Sequence, residues 1–548
     1  MTGEQDLCDL RLTEAGRKVL KLEILASLSR SRSPPATFGA RSFPSPAMIP
    51  PLLSTAPLRT LLVLVLSLGG LSAPLAIAAD AKTNLLIITA DDMNADSPGW
   101  MGNTVIKTPQ LDAFAATGHR FVNNHVTAPI CQPSRSAIMT GRVPHRNGAL
   151  GFGPIREDVP TLVELLQKEG YFAACINKVV HMAPRTKFPW NSVADGSGKN
   201  PAQIGRDVTT ALEAARAAGK PFFINANITD PHRPFYGTTK AGGNKKRQAA
   251  KNANNAATEA EGDTDKNEAV ITPYTPDQVQ VPTFLEDVPN VRKEVAQYDS
   301  SVLRLDESFG KIFAALRASG QADKTLVVFL SDHGMSFPFS KATVYRNGTW
   351  SPVILRLPDG DPLHSPKVHE EFVSSVDLLP TVLELLKVSP PSGLDGTSWV
   401  PLLRGETQPN RDSVITHVNT VSSGQSFPQR CVRTKTRSLI FSAWAGGPRD
   451  FKVEAMSGLS FRALADAAAS DPKIAGRVTQ LLKGISLALY DLEKDPDERT
   501  NVIAGPNYLD DATKLISQLE EHMTRTSDPQ LENFVRAVES LQPKMPLK

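Results

Sequence analysis

The stretch Asn84-Leu-Leu-Ile-Ile-Thr-Ala90, followed directly by Asp91 and Asp92, carries the strongest fold signal in the chain. A short apolar run rich in leucine and isoleucine is typical of a buried strand in a parallel sheet. Ligands of open α/β sheets bind outside the carboxyl ends of the strands. The two aspartates therefore mark a candidate site at the end of this strand.

Strands and helices alternate along the chain that follows. The predicted strands are Tyr171–Ile176, Pro221–Asn227 and Thr325–Leu330, and the predicted helices are Pro160–Glu169, Val295–Ser319 and Asp377–Val388. This alternation predicts an α/β fold, with a mainly parallel sheet flanked by helices. The pattern loosens after about residue 400, where a strand at Leu487–Leu492 and a helix at 509–523 predict a smaller C-terminal α+β subdomain, residues 401–548.

Composition and charge exclude several classes of protein. The 548 residues are 41% hydrophobic and 21% charged, which is ordinary for a globular protein and excludes collagen, a coiled coil and a polytopic membrane protein. The formal net charge is +3, and residues 1–79 hold eight basic and five acidic residues, which leaves 52 of each sign from Asp80 onward. The part of the chain from Asp80 onward is therefore neutral and lacks the excess of basic residues typical of nucleic-acid-binding proteins, so we expect no nucleic-acid partner.

Residues 1–79 are predicted to direct export rather than to join the fold. Within them, about 48–78 matches a signal peptide, with Arg59 as the positive region, Leu61–Leu68 as the apolar region and Ala76–Ala78 as a small-residue cleavage site. The alternative is a single membrane anchor, but glycines and a proline interrupt the apolar run. We therefore expect a periplasmic or secreted protein with no stable membrane span after cleavage.

Residues 237–269 interrupt the alternating pattern of the main domain, which we place at residues 80–400. This segment is rich in lysine, asparagine, alanine and acidic residues, and no large apolar residue follows Tyr236 within it. Such a composition cannot bury enough apolar surface to order itself. It predicts a mobile surface insertion.

Four of the predicted strands are followed by polar clusters. The clusters are Asp91-Asp92, the segment 177–181 with Lys178 and His181, the segment 230–232 with Asp230 and His232, and the segment 331–334 with Asp332 and His333. One such cluster alone could cap a loop, but four at the carboxyl ends of strands predict one shared site. The carboxylates of Asp91, Asp92 and Asp332 are expected to converge. They repel each other unless a cation lies between them, and their oxygens suit calcium or magnesium. His333 either adds a nitrogen ligand or orients a carboxylate.

Three cysteines follow the signal region, so the chain is not a disulfide scaffold. Cys175 lies in an apolar stretch and is predicted to be a core residue. Cys131 begins Cys131-Gln-Pro-Ser-Arg135, in which Pro133 suits the first turn of a helix that ends before Gly141. A helix N-terminus attracts anions, and Arg135 lies one turn further on. The alternative is a helix-start cysteine with a lowered pKa and no catalytic task.

Together these motifs resemble the sulfatase family of the alkaline-phosphatase superfamily, from about Asn84 to Asn501. The resemblance implies an alkaline-phosphatase-like fold and the oxidation of Cys131 to formylglycine by a separate formylglycine-generating enzyme. It also implies a calcium ion, with magnesium as the alternative. The implied metal ligands are Asp91, Asp92, Cys131, Asp332 and His333.

The same resemblance implies roles for basic residues. Arg135 steadies the hydrated aldehyde, Lys178 and His181 lie beside it, His232 lies near the leaving group and Lys341 holds the sulfate. The implied catalytic residues are Cys131, Arg135, Lys178, His181, His232 and Lys341. Of these, His232 and Lys341 also bind substrate, and His145 is a further candidate for which an ordinary turn is the alternative.

The resemblance predicts an exported sulfatase acting on sulfated saccharides. The spacing of Lys178 and His181 resembles iduronate-2-sulfatase-like members, and Phe337-Pro338 near Lys341 resembles heparan N-sulfatase-like members. We therefore expect release of O-sulfate, with N-sulfate as the other option. A phosphonate or phosphodiester hydrolase of the same superfamily and a non-catalytic glycan-binding homologue are the remaining alternatives.

Overall fold

A computed structural model of the protein describes residues 82–238 and 271–541. The predicted signal peptide lies outside the described residues, as does the predicted insertion 237–269 apart from its first two positions. Within the described part of the chain, no helix is both long and apolar enough to cross a membrane.

The secondary structure alternates as the sequence predicts. The strands are β1 (Asn84–Asp91), β2 (His119–His125), β3 (Phe172–Ile176), β4 (Ser192–Ala194), β5 (Phe222–Pro231), β6 (Thr325–Ser331), β7 (Val353–Arg356), β8 (Val368–Ser374), β9 (Ser413–Thr420), β10 (Ser426–Thr434), β11 (Arg437–Ser442) and β12 (Leu487–Asp491). The α-helices are α1 (Pro109–Ala115), α2 (Cys131–Thr140), α3 (Pro144–Asn147), α4 (Leu162–Lys168), α5 (Pro201–Ala217), α6 (Pro289–Ala318), α7 (Arg346–Thr349), α8 (Leu378–Leu385), α9 (Val400–Leu403), α10 (Leu459–Ala467), α11 (Pro472–Lys483), α12 (Leu509–Arg525) and α13 (Leu531–Ser540). Single-turn 3-10 helices lie at Gly99–Met101, Val179–His181, Arg185–Lys187, Ala322–Lys324, Ser375–Asp377, Glu454–Ser457 and Pro506–Tyr508.

The main sheet has the strand order β4-β3-β5-β1-β6-β7-β2-β8. Strand β1 lies in its middle, paired in parallel with β5 on one side and β6 on the other. Strand β7 is antiparallel to both of its neighbours, and the other pairs are parallel. The mainly parallel α/β sheet that the sequence predicts is therefore confirmed.

Helices cover both faces of this sheet. Successive side chains of a strand point to opposite faces, so Leu86 and Ile88 pack into one core cluster with α5 and α6, while Leu85 and Ile87 pack into another with α2, α4 and α8. Cys175 is fully buried in the second cluster, as predicted. Burial on both faces explains why β1 reads as a continuous apolar run.

The C-terminal part forms a four-stranded antiparallel sheet in the order β12-β11-β10-β9. Helices α12 and α13 cover one face of it through an apolar cluster that includes Leu439, Leu515 and Phe534. The opposite face joins the core of the main sheet, because Phe427 and Tyr490 belong to the same cluster as Leu86. The predicted α+β subdomain is confirmed, while a boundary at residue 401 stays a prediction.

Two predicted elements are longer in the structure. The helix predicted from Val295 begins at Pro289, since proline suits a first helical turn. The strand predicted to end at Asn227 continues to Pro231, because it stays paired with β1 up to Asp91.

Candidate active site

The carboxyl ends of β1, β3, β5 and β6 meet at one edge of the main sheet, as the sequence predicts. Three residues just past these ends adopt left-handed backbone conformations, with φ of 71° at Asp92, 58° at Asn177 and 54° at Lys178. Non-glycine residues rarely adopt such angles, and they cluster at functional sites. Two of these side chains enter the site, because Lys178 Nζ lies 2.7 Å from Asp91 Oδ2 and Asp92 Oδ1 lies 3.3 Å from His333 Nδ1.

Helix α2 delivers the cysteine to the same place. Cys131 is its first residue, and Gly141 ends it with φ of 62° and a bond from its N–H to the Ala137 carbonyl. The Ser134 hydroxyl donates to the Asp332 carbonyl at 2.6 Å, which ties the helix to the end of β6. The Cys131 side chain is buried against that strand end.

Three buried carboxylates and a histidine surround the cysteine. His333 Nδ1 lies 3.3 Å from Asp92 Oδ1, and its Nε2 lies 3.2 Å from Cys131 Sγ. The backbone N–H of Asp92 donates to Asp332 Oδ1 at 3.2 Å. Four side chains each place one possible metal-ligand atom within 4.8 Å of the others, namely those of Asp91, Asp92, Cys131 and His333.

This group fits a hard cation. Asp91 Oδ1 is buried, and none of the described residues donates a hydrogen bond to it, although an unmatched buried carboxylate oxygen is costly. Burial raises the pKa of Asp92 well above its ordinary value, and Asp91 and Asp332 add to the shift although Lys341 opposes it. A cation between these oxygens would keep them ionised. The oxygen-rich set suits calcium or magnesium better than a soft metal.

Two cations balance the inner carboxylates. Arg135 Nη2 lies 2.9 Å from Asp332 Oδ2, and its other terminal nitrogen donates to the side-chain oxygen of Asn227. Lys178 Nζ lies 2.7 Å from Asp91 Oδ2. Burial acts to raise the pKa of Asp91, but Lys178 and the other positive groups outweigh it and hold that pKa well below its ordinary value.

Lys341 lies at the outer side of the group. Its Nζ is 3.0 Å from Asp92 Oδ2 and 3.0 Å from Glu454 Oε2. Although burial acts against the charged form, these carboxylates raise the pKa of Lys341 well above its ordinary value. Lys341 is therefore a cation with its ammonium directed into the site.

The two predicted histidines are held neutral. Burial lowers the pKa of His181 well below its ordinary value, and Lys178 adds to the shift. Burial also lowers the pKa of His232 well below its ordinary value, and the positive charge of Lys341 adds to the shift. His232 Nδ1 lies 2.6 Å from the Arg233 carbonyl, so this nitrogen carries the proton and leaves Nε2 with a lone pair. Both histidines are able to accept a proton.

His145 is not brought into this group. Its Nε2 lies 3.2 Å from the carbonyl of Thr526, and its Nδ1 lies 3.8 Å from Asp528, at the turn between α12 and α13. Its ring also packs against that of His417. These contacts join α3 to the C-terminal helices, and a substrate-binding role for His145 stays a prediction.

Sequence reasoning missed two residues of the site. Asn227 lies within β5 and accepts a hydrogen bond from Arg135, and the available signal was an amide side chain directly after the mostly apolar run 222–226. Glu454 comes from the C-terminal part, far along the chain from any strand end of the main sheet. No local pattern in its sequence indicated a role.

Replacing Gly334 with alanine is expected to disrupt the site. A Cβ at this position would lie 1.8 Å from the Asn347 carbonyl oxygen, so the loop that carries Asp332 and His333 must move. We expect the free energy of unfolding to fall by about 3 kcal/mol, as measured by thermal or denaturant unfolding. Gly476→Ala is the control, since its Cβ meets nothing within 4 Å in helix α11 and alanine favours a helix. Equal stability of the two variants would contradict this account.

Comparison with known proteins agrees with the geometry. The Sulfatase family model matches residues 83–388. N-sulphoglucosamine sulphohydrolase from Homo sapiens is 28% identical over 486 residues, covering 81% of this chain and 91% of that protein. Delta 4,5-hexuronate-2-O-sulfatase from Bacteroides thetaiotaomicron is 25% identical over 494 residues, covering 82% and 90% respectively.

A solved structure extends the likeness to the fold. The structure of a 2-O GAG sulfatase superposes with a TM-score of 0.57 at 20% identity, covering 82% of this chain and 93% of that one. Likeness at this identity supports the fold alone, whereas the family model matches the segment that carries the cysteine and the four strand ends. Because that match spans more than half of the sequence, the chain belongs to the sulfatase family.

Proposed function

We propose that this protein is a sulfuric ester hydrolase that removes sulfate from sulfated saccharides. The observation that carries the proposal is the buried group of Asp91, Asp92, Asp332 and His333 around Cys131, with three cations beside it. A sulfate ester is an anion that repels incoming nucleophiles, so its hydrolysis needs positive charge at the sulfur and at the departing oxygen. The names of the two relatives support a sulfated saccharide as substrate.

The carboxylates and His333 are proposed to hold calcium, with magnesium as the alternative. When bound, such an ion withdraws charge from a sulfate oxygen and lowers the barrier to attack on sulfur. Asp91 and Asp92 would supply oxygens from the end of β1, and from the end of β6 Asp332 would supply an oxygen and His333 a ring nitrogen. The parallel pairing of these two strands places both pairs at the same height.

Cys131 is proposed to be the precursor of formylglycine. The hydrated aldehyde supplies a hydroxyl nucleophile, which a thiol does not, and its formation needs a separate maturation enzyme. The Cys131 side chain is 1% exposed in the folded chain. Maturation is therefore expected to occur before α2 packs against β6.

The surrounding side chains have separable tasks. Arg135 and Lys178 offset the negative charge that develops at the nucleophile, because both lie against its carboxylate neighbours. Lys341 binds the sulfate and can donate a proton to the departing sugar oxygen, which is far more basic than an amine. His181 is neutral and can take a proton from the nucleophile, whereas His232 is proposed to lie beside the departing group together with Lys341.

The location and domain organisation are also proposed from the sequence. Residues 48–78 support export to the periplasm or beyond the cell, where sulfated polymers are accessible. Residues 80–400 are proposed as the catalytic domain, with residues 401–548 as the smaller C-terminal unit.

The direct test is sulfate release by matured protein. The protein is produced with a formylglycine-generating enzyme and incubated with defined sulfated mono- and disaccharides, aryl sulfate, a phosphate diester and a phosphonate monoester. Sulfate release from a saccharide with the largest kcat/KM of the set supports the proposal. A larger kcat/KM for the phosphonate or the diester would show the other hydrolase class, and binding of saccharides without turnover would show a glycan-binding protein.

The peptide that contains Cys131 is expected to carry an aldehyde. Protein made with the maturation enzyme should yield, by mass spectrometry, a Cys131 peptide with the mass of formylglycine, because this helix-start cysteine lies in the motif that the enzyme recognises. The peptide that contains Cys175 serves as the internal control and should keep its thiol mass. Full sulfatase activity in a sample that shows only thiol at Cys131 would contradict the proposed chemistry.

A further inference from the structure

Glu454 is the one carboxylate that the C-terminal part contributes to the described lining of the cavity next to the site. This cavity has a volume of about 40 Å³ and lies beside His232 and Lys341. Most of its other lining side chains are apolar, among them Ile130, Phe152 and Val453. His232 and Lys341 are proposed substrate-binding residues, so Glu454 stands beside the place where the group attached to the sulfate would bind.

The contacts of Glu454 engage one oxygen more fully than the other. Oε2 accepts a bond from the Ser336 hydroxyl at 3.0 Å and lies 3.0 Å from Lys341 Nζ. Oε1 lies 3.6 Å from Arg233 Nε, beyond hydrogen-bond distance, and Arg233 is itself paired with Glu294. The side chain is 28% exposed. Oε1 therefore keeps the capacity to accept a hydrogen bond from a ligand.

The carboxylate is ionised under ordinary conditions. Burial acts to raise its pKa, but Lys341 and the other neighbouring cations outweigh burial and lower the pKa of Glu454 to about 2. A permanent negative charge beside an anion-binding site does not help to bind sulfate. The charge of Glu454 instead acts on the substrate groups beside the sulfate. It attracts hydrogen-bond donors there and repels a second anion.

We propose that Glu454 is a specificity-determining residue, which favours saccharides with a hydroxyl or an amine next to the cleaved sulfate over those with a second sulfate or a carboxylate there. The inference rests on the proposed function of the same site. A neutral or ammonium donor can satisfy Oε1, whereas a second anion would meet the Glu454 charge across a mostly apolar wall. Specificity then arises from rejection as well as attraction.

The test compares kcat/KM for singly and doubly sulfated forms of one sugar. The substrates are N-sulfoglucosamine and glucosamine 3-sulfate, each measured against glucosamine-2-N,3-O-disulfate by sulfate release, because positions 2 and 3 of the sugar are neighbours. The wild-type enzyme should prefer the singly sulfated form that it cleaves. Glu454→Gln, which keeps the shape and removes the charge, should reduce this preference about fivefold. Glu454→Asp should retain it, because the charge remains.

The control is Glu532→Gln, which makes the same chemical change on an exposed side chain of α13, remote from the cavity. The preference is a ratio within one sample, so a partly folded variant still reports it. An unchanged preference in Glu454→Gln, or the same change in the control, would overturn the inference while leaving sulfatase activity in place. Failure of the wild-type enzyme to release sulfate from any of the three sugars would instead overturn the proposed function, and this inference with it.

Discussion

Cys131→Ala is expected to reduce sulfate release by about 10³-fold or more, because the variant lacks the proposed precursor of the nucleophile. The fold should persist, since the change removes one sulfur from the start of α2 and leaves the helix bond from Gly141 to Ala137 intact. Steady-state turnover of a sulfated saccharide measures the first effect, and circular dichroism with thermal unfolding measures the second.

Cys175→Ala is the matched control for that experiment. Cys175 is also a buried free cysteine, but it lies within β3 with its side chain in the apolar core cluster, and it is not among the group of possible metal ligands. Loss of its sulfur is expected to lower stability by about 1 kcal/mol and to leave kcat near the wild-type value. If the two variants lost activity to the same extent, Cys131 would have no special role.

Asp332→Asn is the second substitution with a large expected effect. It removes the charge that Arg135 contacts at 2.9 Å and a proposed ligand of the cation, so kcat should fall by about 10²- to 10³-fold. Calcium affinity should fall as well, which isothermal titration calorimetry of the purified protein measures without reference to turnover. Chelation of the wild-type enzyme should produce a similar loss, which added calcium reverses.

Asp306→Asn is the matched control, because Asp306 is also buried and accepts backbone N–H bonds at the start of α1. It lies outside the site, so its replacement should affect stability and leave calcium binding unchanged. Full activity of metal-free protein, or equal calcium affinity in Asp332→Asn and wild type, would contradict the proposed metal site.

The elements that position the site could be predicted because their signals are local. The run from Asn84 to Ala90 is apolar because β1 is buried on both faces, and the aspartates that follow it stand where parallel strands bind ligands. Helix α2 could be predicted from Pro133 and Gly141, which suit its first turn and its end. The resemblance to sulfatases rested on these motifs, and the family match confirms it.

The exact ends of the strands and the contact partners of individual side chains could not be predicted in the same way. Strand β5 runs beyond Asn227 because it stays paired with β1, and nothing in its own sequence reports that pairing. His145 follows the cysteine motif closely, yet it contacts Thr526 and Asp528 because the C-terminal helices pack against α3. Local sequence does not encode contacts with segments that lie hundreds of residues away.

The sequence by itself determined the fold class, the family and the residue types at the ends of four strands, because hydrophobic period and turn residues act over a few positions. Only the tertiary structure decided how the charges pair. Lys341 reaches Asp92 across 249 positions of the chain and also reaches Glu454 from the C-terminal part. Whether a buried charge is balanced depends on distances of a few ångströms in space, which are set when the two sheets pack into one core.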